Sequence, residues 1–129
     1  MLLSLWGVDM TVRLHFLQET RSPQNGKLDA ERVAQTFGLS MKELARIVGR
    51  DQGGLKKHPT SDTLQLALRE LDEVGVQLRD VFGSLEVGRM WLRAPNPLLD
   101  GQMPLTYLFE HQPVAVQRLL RMAETGMPT

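Results

Sequence analysis

Few residues of this chain have the type and the spacing that catalysis or metal binding needs. The three histidines, His15, His58 and His111, lie in different predicted elements, with no second histidine or carboxylate at metal-site spacing. The chain has no cysteine, which excludes thiolate metal sites and disulfides and fits a reducing cytoplasm. No nucleophile elbow, phosphate-binding glycine loop or paired-acid motif occurs. We therefore expect no catalytic residue, metal or cofactor, and predict that the protein is not an enzyme.

Charge is balanced over the whole chain but not along it. The 129 residues include 15 basic and 15 acidic side chains, so no global field favours nucleic acid or membrane. Residues 28–58 carry six Lys/Arg against four Asp/Glu, whereas residues 59–80 carry two against five. We interpret Asp72-Glu73, near Arg69, as a solvated helix face. No apolar run approaches the ~20 residues of a membrane span, so we expect a cytoplasmic protein that does not bind membranes.

The basic segment holds the residues whose types suit DNA binding. Gln52 has the position of a base-reading residue, while Arg50, Lys56 and Lys57 suit phosphate contacts. Gly53-Gly54 lies in the same predicted helix and costs it about 2 kcal/mol relative to alanine. We expect this helix to be short or frayed, and a purely structural three-helix bundle remains the alternative.

The elements that position these residues are predicted to be helices throughout. Asp29 and Ser40 are N-cap residues, and helices are expected over 30–37, from 40 to Gly49, over 51–58, 61–82, 84–93, 104–110 and 113–124. Gly75 predicts either a bend in the long helix or two helices meeting there. In the predicted helix over 61–82 the buried positions are Leu64, Leu66, Leu68, Leu71, Val74, Leu78 and Val81. In the helix over 84–93 they are Leu85, Val87, Met90 and Trp91, and in the helix over 113–124 they are Val114, Val116, Leu119, Leu120 and Ala123.

The N-terminal residues fit more than one pattern. Residues 11–17 alternate as a short strand would, although a helical or frayed arm fits as well. A turn cluster over 21–26 ends this arm, and regular order is expected to start at Leu28. Met10 is an alternative start. We predict three segments: an arm over 1–27, a helix-turn-helix-like domain over 28–82, and a small helical domain over 83–129.

A proline-rich corner is the most specific pattern in the chain. A helix end carrying a tryptophan is followed by two prolines, a glycine and a helix opened by a third proline. The residues that form the pattern are Trp91, Leu92, Pro95, Asn96, Leu99, Gly101, Pro104, Leu105 and Leu108. Their spacing resembles the toxin-binding domain of Xre/MbcA/ParS antitoxins, whose pattern runs W-L-x-x-P-N-x-x-L-x-G-x-x-P. The resemblance covers residues 84–128 and extends loosely back to 28.

That resemblance implies an all-α antitoxin with an Xre-like helix-turn-helix followed by the toxin-binding domain. It implies neutralisation of a RES-domain, NAD-degrading toxin, with the C-terminal helix and tail blocking the active site. The implied toxin-binding residues are Arg118, Arg121, Met122, Glu124, Thr125, Gly126, Met127, Pro128 and Thr129. The corner itself is expected to fix the shape of the domain rather than contact the toxin.

The resemblance also implies promoter binding and assembly as a homodimer or a larger complex with toxin. Gly53-Gly54 departs from the usual Xre recognition helix and leaves DNA binding open. Met41, Met90 and Met103 suit an adaptable apolar surface for self-association. The alternative is a stand-alone helix-turn-helix regulator whose C-terminal domain serves dimerisation.

Overall fold

The computed structural model describes residues 17–126, and within them the fold is all-α, as predicted. The only β pairing in this range is an isolated bridge between Arg21 and Leu28. Short 3₁₀ turns occupy Asp62–Leu64 and Pro97–Leu99. The helices are α1 (Ala30–Phe37), α2 (Met41–Val48), α3 (Gln52–Lys57), α4 (Gln65–Phe82), α5 (Leu85–Arg93), α6 (Leu105–Phe109) and α7 (Pro113–Thr125).

Local capping residues define the first two helices where the sequence predicts them. The Asp29 carboxylate accepts hydrogen bonds from the backbone N–H groups of Glu31 and Arg32. Ser40 and Glu43 form a reciprocal capping box at the start of α2. Gly38 ends α1 with φ at 68°, a left-handed conformation that glycine adopts without a Cβ clash. These ends depend on neighbouring residues only, which explains why the sequence locates them.

A single hydrophobic core runs through the described residues. Side chains from α1, α2, α3 and α4 form one cluster of buried residues with side chains from α5, α6 and α7. Helix α4 contacts α1 on one side and α5 and α7 on others. The boundary predicted between 82 and 83 falls in the turn from α4 to α5, while the core continues across it.

Residues 17–27 already pack against the core, although regular order was predicted to start at Leu28. Leu17 is 1% exposed and belongs to the core. The Thr20 hydroxyl lies 2.8 Å from Asp72 Oδ1 and 3.1 Å from the carbonyl oxygen of Leu17. Apart from Leu17, the strand-or-arm prediction for residues 11–17 lies outside the described residues. The alternative start at Met10 also lies outside them. The turn predicted over 21–26 is present.

Asp72 is buried, so its interpretation as part of a solvated helix face is wrong. Its side chain is on the arc of α4 that also carries Leu68 and Gly75, one turn to either side, and the residue is 4% exposed. The Leu17–Thr20 segment covers that arc. Burial raises the pKa of the Asp72 carboxyl, although the hydrogen bond from Thr20 acts in the opposite direction. Glu73 is exposed, as predicted.

Several predicted core positions face solvent instead. Leu66 is 67% exposed because it lies about 200° around α4 from the buried Leu68. Val114 points away from the face that Val116 buries, for the same reason. In α5 the buried positions are Gly88 and Leu92. The predicted core residues that prove to be exposed are Leu66, Val87, Met90, Val114 and Ala123.

Gly75 is a close-packing position inside one continuous helix, so the two-helix alternative is wrong. A Cβ at Gly75 would lie 2.7 Å from Leu17 Cδ1 and 2.8 Å from Phe37 Cζ. The missing side chain lets the Leu17 segment and α1 approach α4. The helical hydrogen bonds continue through this position because glycine lowers helix propensity without removing a donor.

In the part of the chain that the structure describes, no helix combines the length and apolar character needed to cross a bilayer.

Candidate functional site

The proline-rich corner is a closed, internally hydrogen-bonded loop. The Asn96 backbone N–H donates to the Gln102 carbonyl at 3.0 Å, and the Asn96 carbonyl accepts from Leu99 and Gly101 at 2.9 and 3.0 Å. The Asn96 side chain accepts from the Leu98 N–H at 2.9 Å. One asparagine therefore satisfies several backbone groups of a loop that cannot continue as an α-helix.

Aromatic and apolar contacts attach the corner to the core. The Trp91 ring packs on Phe82 with a centroid distance of 5.6 Å and an interplanar angle of 42°. Leu92, Pro104 and Leu105 are buried on either side of the loop. These contacts support a scaffolding role for Trp91 and Asn96.

Helix α7 combines an anchored face with a free one. Val116 and Leu120 are fully buried, and Leu119 is 8% exposed. The predicted toxin-binding residues Arg118, Arg121, Glu124, Thr125 and Gly126 are exposed, and Met122 is half-buried. Met127, Pro128 and Thr129 lie outside the described residues. The structure thus brings the described members of this set together at one end of a supported helix.

An open groove of about 400 Å³ separates the end of α7 from the corner. Leu119, Met122 and Gly126 line it on the α7 side, and Trp91 and Leu98 line it on the other. Leu98 is 49% exposed. Corner and C-terminal helix therefore contribute to the same apolar surface.

The predicted DNA-binding residues all lie on or beside α3, but they differ in availability. Lys56 and Lys57 are exposed in its last turn, and Gln52 is half-buried in its first. Arg50 Nη2 donates to the Thr63 carbonyl at 2.6 Å, so its guanidinium helps to fix the turn before α4. As predicted, α3 is short, at six residues.

Residues 17–126 contain no group of three or more histidines and carboxylates that could hold a metal ion. His111 Nδ1 is 2.9 Å from the Ile47 carbonyl oxygen, where it joins the turn before α7 to the end of α2. The candidate site is the surface formed by the corner, the groove and α7.

Comparison with known families identifies that surface. Residues 77–126 match the family described as the antitoxin Xre/MbcA/ParS C-terminal toxin-binding domain. This segment contains the corner, the groove and α7. It is an Xre/MbcA/ParS toxin-binding domain. For this segment, the resemblance predicted from the spacing of Trp91, Asn96 and Pro104 is confirmed.

The fold beyond the Xre/MbcA/ParS domain also has a solved counterpart. A chain in the crystal structure of the M. tuberculosis MbcT-MbcA toxin-antitoxin complex superposes with a TM-score of 0.59 at 19% identity. The match covers 78% of this chain and 94% of that chain, so the shared fold extends well before residue 77. No curated protein sequence matches this chain.

Two arginines join the Xre/MbcA/ParS domain to the N-terminal helices. Arg89 Nη1 donates to the Thr36 carbonyl at 3.0 Å, and Arg93 Nη2 donates to the Gly38 carbonyl at 2.9 Å. Both therefore satisfy carbonyl groups at the C-terminal end of α1, where the helix dipole favours a cation. Arg93 also holds Glu43 through two hydrogen bonds, which lower the pKa of that carboxyl together with the bond from the Ser40 backbone.

The contacts of these arginines and the exposure of Leu98 were not predicted from the sequence. The four-residue spacing of Arg89 and Arg93 is a usable signal, because it places both on one helix face. Nothing local indicates that the face meets the end of α1. Likewise, Leu98 follows a proline in an apolar stretch, and only the packing of the corner leaves it half exposed.

Proposed function

We propose that this chain is an antitoxin that neutralises a RES-type, NAD-degrading toxin by placing the end of α7 and the residues after it at the toxin's active site. The observation that carries the proposal is the free end of α7 within a toxin-binding domain. The chain acts in this proposal as a stoichiometric inhibitor without catalysis. No cofactor of its own is required.

The anchoring of α7 supports inhibition by steric blocking. Val116, Leu119 and Leu120 hold the helix on the core, so its last turn projects from a rigid base. Presenting a preorganised helix avoids the entropic cost of ordering a flexible segment on binding. A pocket shaped for the phosphates of NAD also accommodates a carboxylate or polar groups from a docked tail. The helix face then supplies the buried area of the interface, and the tail occludes the active site.

Deleting residues 122–129 should abolish neutralisation in cells that co-express the proposed cognate RES-domain toxin. The deletion removes the last turn of α7 and leaves Val116, Leu119 and Leu120 in place. Growth after toxin induction is the measurement, and circular dichroism and urea unfolding of the purified truncated chain report whether it folds. Full rescue by the folded truncated chain would overturn the tail-blocking mechanism.

A charge variant tests the same surface with the chain length unchanged. Reversing Arg118 and Arg121 to glutamate alters two exposed side chains of α7, and we expect it to weaken rescue markedly. Reversing Arg69 on α4, also exposed, is the matched control and should leave rescue intact.

We further propose that α3 contacts promoter DNA, because Lys56 and Lys57 are exposed side by side at its end. Phosphate neutralisation releases counterions, so each such contact adds roughly 0.9 to the slope of log K against log salt. Replacing both lysines by alanine should therefore lower that slope by about 2 for the chain's own promoter fragment. Lys27, whose ammonium is 2.7 Å from Asp62, provides a control position. An unchanged slope for the double variant would assign the lysine pair to a solvated helix end.

The same assay separates the antitoxin from a stand-alone regulator. Sequence-specific binding with a steep salt slope, in a chain that does not bind the toxin, would favour the regulator. Binding to toxin with or without DNA affinity favours the antitoxin.

A further inference from the structure

We propose that the toxin-binding surface extends from α7 across the groove onto the corner, and that the groove receives an apolar side chain of the toxin that is accompanied by a carboxylate. The inference rests on the proposed antitoxin function and adds a second role to the corner. The surface in question, here called the apolar strip, consists of Val87, Trp91, Leu98 and Met122.

The strip is formed by apolar side chains that the core leaves exposed. Val87 is 45% exposed and Leu98 is 49% exposed, while Trp91 and Met122 are half-buried. Val87 and Trp91 are one turn apart on α5 and therefore lie side by side. Trp91, Leu98 and Met122 line the same groove of about 400 Å³. A contiguous apolar surface of this kind is characteristic of protein-binding sites.

The charge beside the strip defines what can occupy it. At 100° per residue, Arg118 lies next to Met122 on α7, on the side away from the buried Val116 and Leu120. Arg121 lies about 60° beyond Arg118, on the side of α7 away from the groove. Within the described chain, neither guanidinium has an ion-pair partner. An exposed arginine beside an apolar groove, as Arg118 is, complements a partner that offers a large apolar side chain and a nearby Asp or Glu.

A corner that is fixed by its own hydrogen bonds favours binding in the groove. A partner side chain that enters the groove contacts both the loop and α7, so movement of one against the other would cost affinity. The hydrogen bonds of Asn96 to Leu98, Leu99 and Gly101 fix Leu98 in place before binding. Preorganisation of this kind reduces the entropic cost of association.

The test measures the dissociation constant between the full-length chain and the proposed cognate RES-domain toxin. Leu98→Gln keeps the size of the side chain but makes it polar and uncharged. We expect it to weaken binding at least about tenfold, as for a side chain at the centre of an interface. Arg118→Glu should weaken binding by a similar factor, and its effect should shrink at high salt. Leu66→Gln, at a 67% exposed leucine on α4, is the matched control and should change binding less than twofold.

Each alternative result has a distinct meaning. If the wild-type chain does not bind the toxin, the proposed function and this inference fail together. If the wild-type chain binds and Leu98→Gln binds equally well, only the inference fails. Sedimentation of the chain alone tests whether a second copy of the chain, and not the toxin, covers the strip. A wild-type dimer that Leu98→Gln dissociates would mean that it does, and would overturn the inference. Circular dichroism confirms that the variant folds, and Val87→Gln provides an independent substitution in the strip.

Discussion

Replacing Gly88 by leucine should destabilise the fold by about 3 kcal/mol or more, since overpacking of a tight helix contact has few ways to relax. A Cβ at Gly88 would lie 2.9 Å from Leu78 Cβ. Leu78 Cβ is fixed to the backbone of α4, so no change of rotamer relieves the contact. The helices α4 and α5 must move apart, and α5 carries Trp91 and both arginines that hold α1.

Urea unfolding measures the loss of stability. Alanine substitutions at Gly88 and at a control glycine separate the steric clash from the gain in helix propensity. Gly88→Ala should lose about 1–2 kcal/mol, because the clash exceeds the gain of about 1 kcal/mol in helix propensity. Gly54→Ala is the matched control, since a Cβ there would lie 3.8 Å from Asp51 Oδ2, an ordinary contact. Gly54→Ala should therefore gain up to about 1 kcal/mol. A Gly88→Ala variant as stable as the wild type would contradict the close packing of α4 on α5.

Thr20→Val should cost about 1.5–3 kcal/mol at neutral pH, the range for a hydrogen bond to a charged group. The valine keeps the shape of the side chain but removes the hydroxyl that lies 2.8 Å from Asp72 Oδ1. Thr20 is 0% exposed, so water cannot replace the lost donor without opening the Leu17 segment. The measurement is urea unfolding across a pH series.

The pH dependence has a definite sign. Burial raises the pKa of Asp72 above its ordinary value of 3.8, and the Thr20 hydrogen bond partly opposes that rise. In the native wild-type protein this carboxyl therefore destabilises the fold increasingly as pH rises through its folded pKa. Loss of the hydroxyl raises the folded pKa further. The difference between wild type and Thr20→Val should thus be smallest below pH 3.8 and reach its full size near neutrality.

A double-mutant cycle isolates the Thr20–Asp72 pair from other carboxyls. Glu43, whose pKa is lowered mainly by Arg93, contributes a pH dependence of opposite sign that is common to all the variants. In the Asp72→Asn background, Thr20→Val should cost less and its cost should not vary with pH. An equal, pH-dependent cost in both backgrounds would show that the Thr20 hydroxyl acts through another group.

Features that depend on neighbouring residues were predicted from the sequence more accurately than features that depend on distant ones. Helix ends at Asp29, Ser40 and Gly38 depend on residues within one turn, and they were predicted correctly. The proline corner was also predictable, because Pro95 and Pro97 restrict the chain whatever surrounds them. The buried faces were predicted less well. Val87 and Leu66 are as apolar as their buried neighbours, and the choice between them depends on which face of the helix finds a partner.

Asp72 and Gly75 are the converse case, because they are packed inside the protein although their residue types do not predict it. A charged residue and a glycine are usually assigned to solvent and to a helix break, yet both lie at the contact between α4 and the Leu17–Thr20 segment. That contact joins residues 52 positions apart in the chain. Helical periodicity contains no information about such a partner.

The sequence by itself determined the helical class, most helix ends, the shape of the corner and the antitoxin resemblance, because each depends on local conformational preference or on a short spacing of residue types. Only the tertiary structure decided that Asp72 is buried, that Arg89 and Arg93 hold the end of α1, and that Leu98 and Met122 border one groove. These features arise where distant segments meet in a common core. The physical reason is that burial and hydrogen-bond partnership are properties of a contact between two surfaces, and a linear sequence specifies each surface without specifying which other surface it will meet.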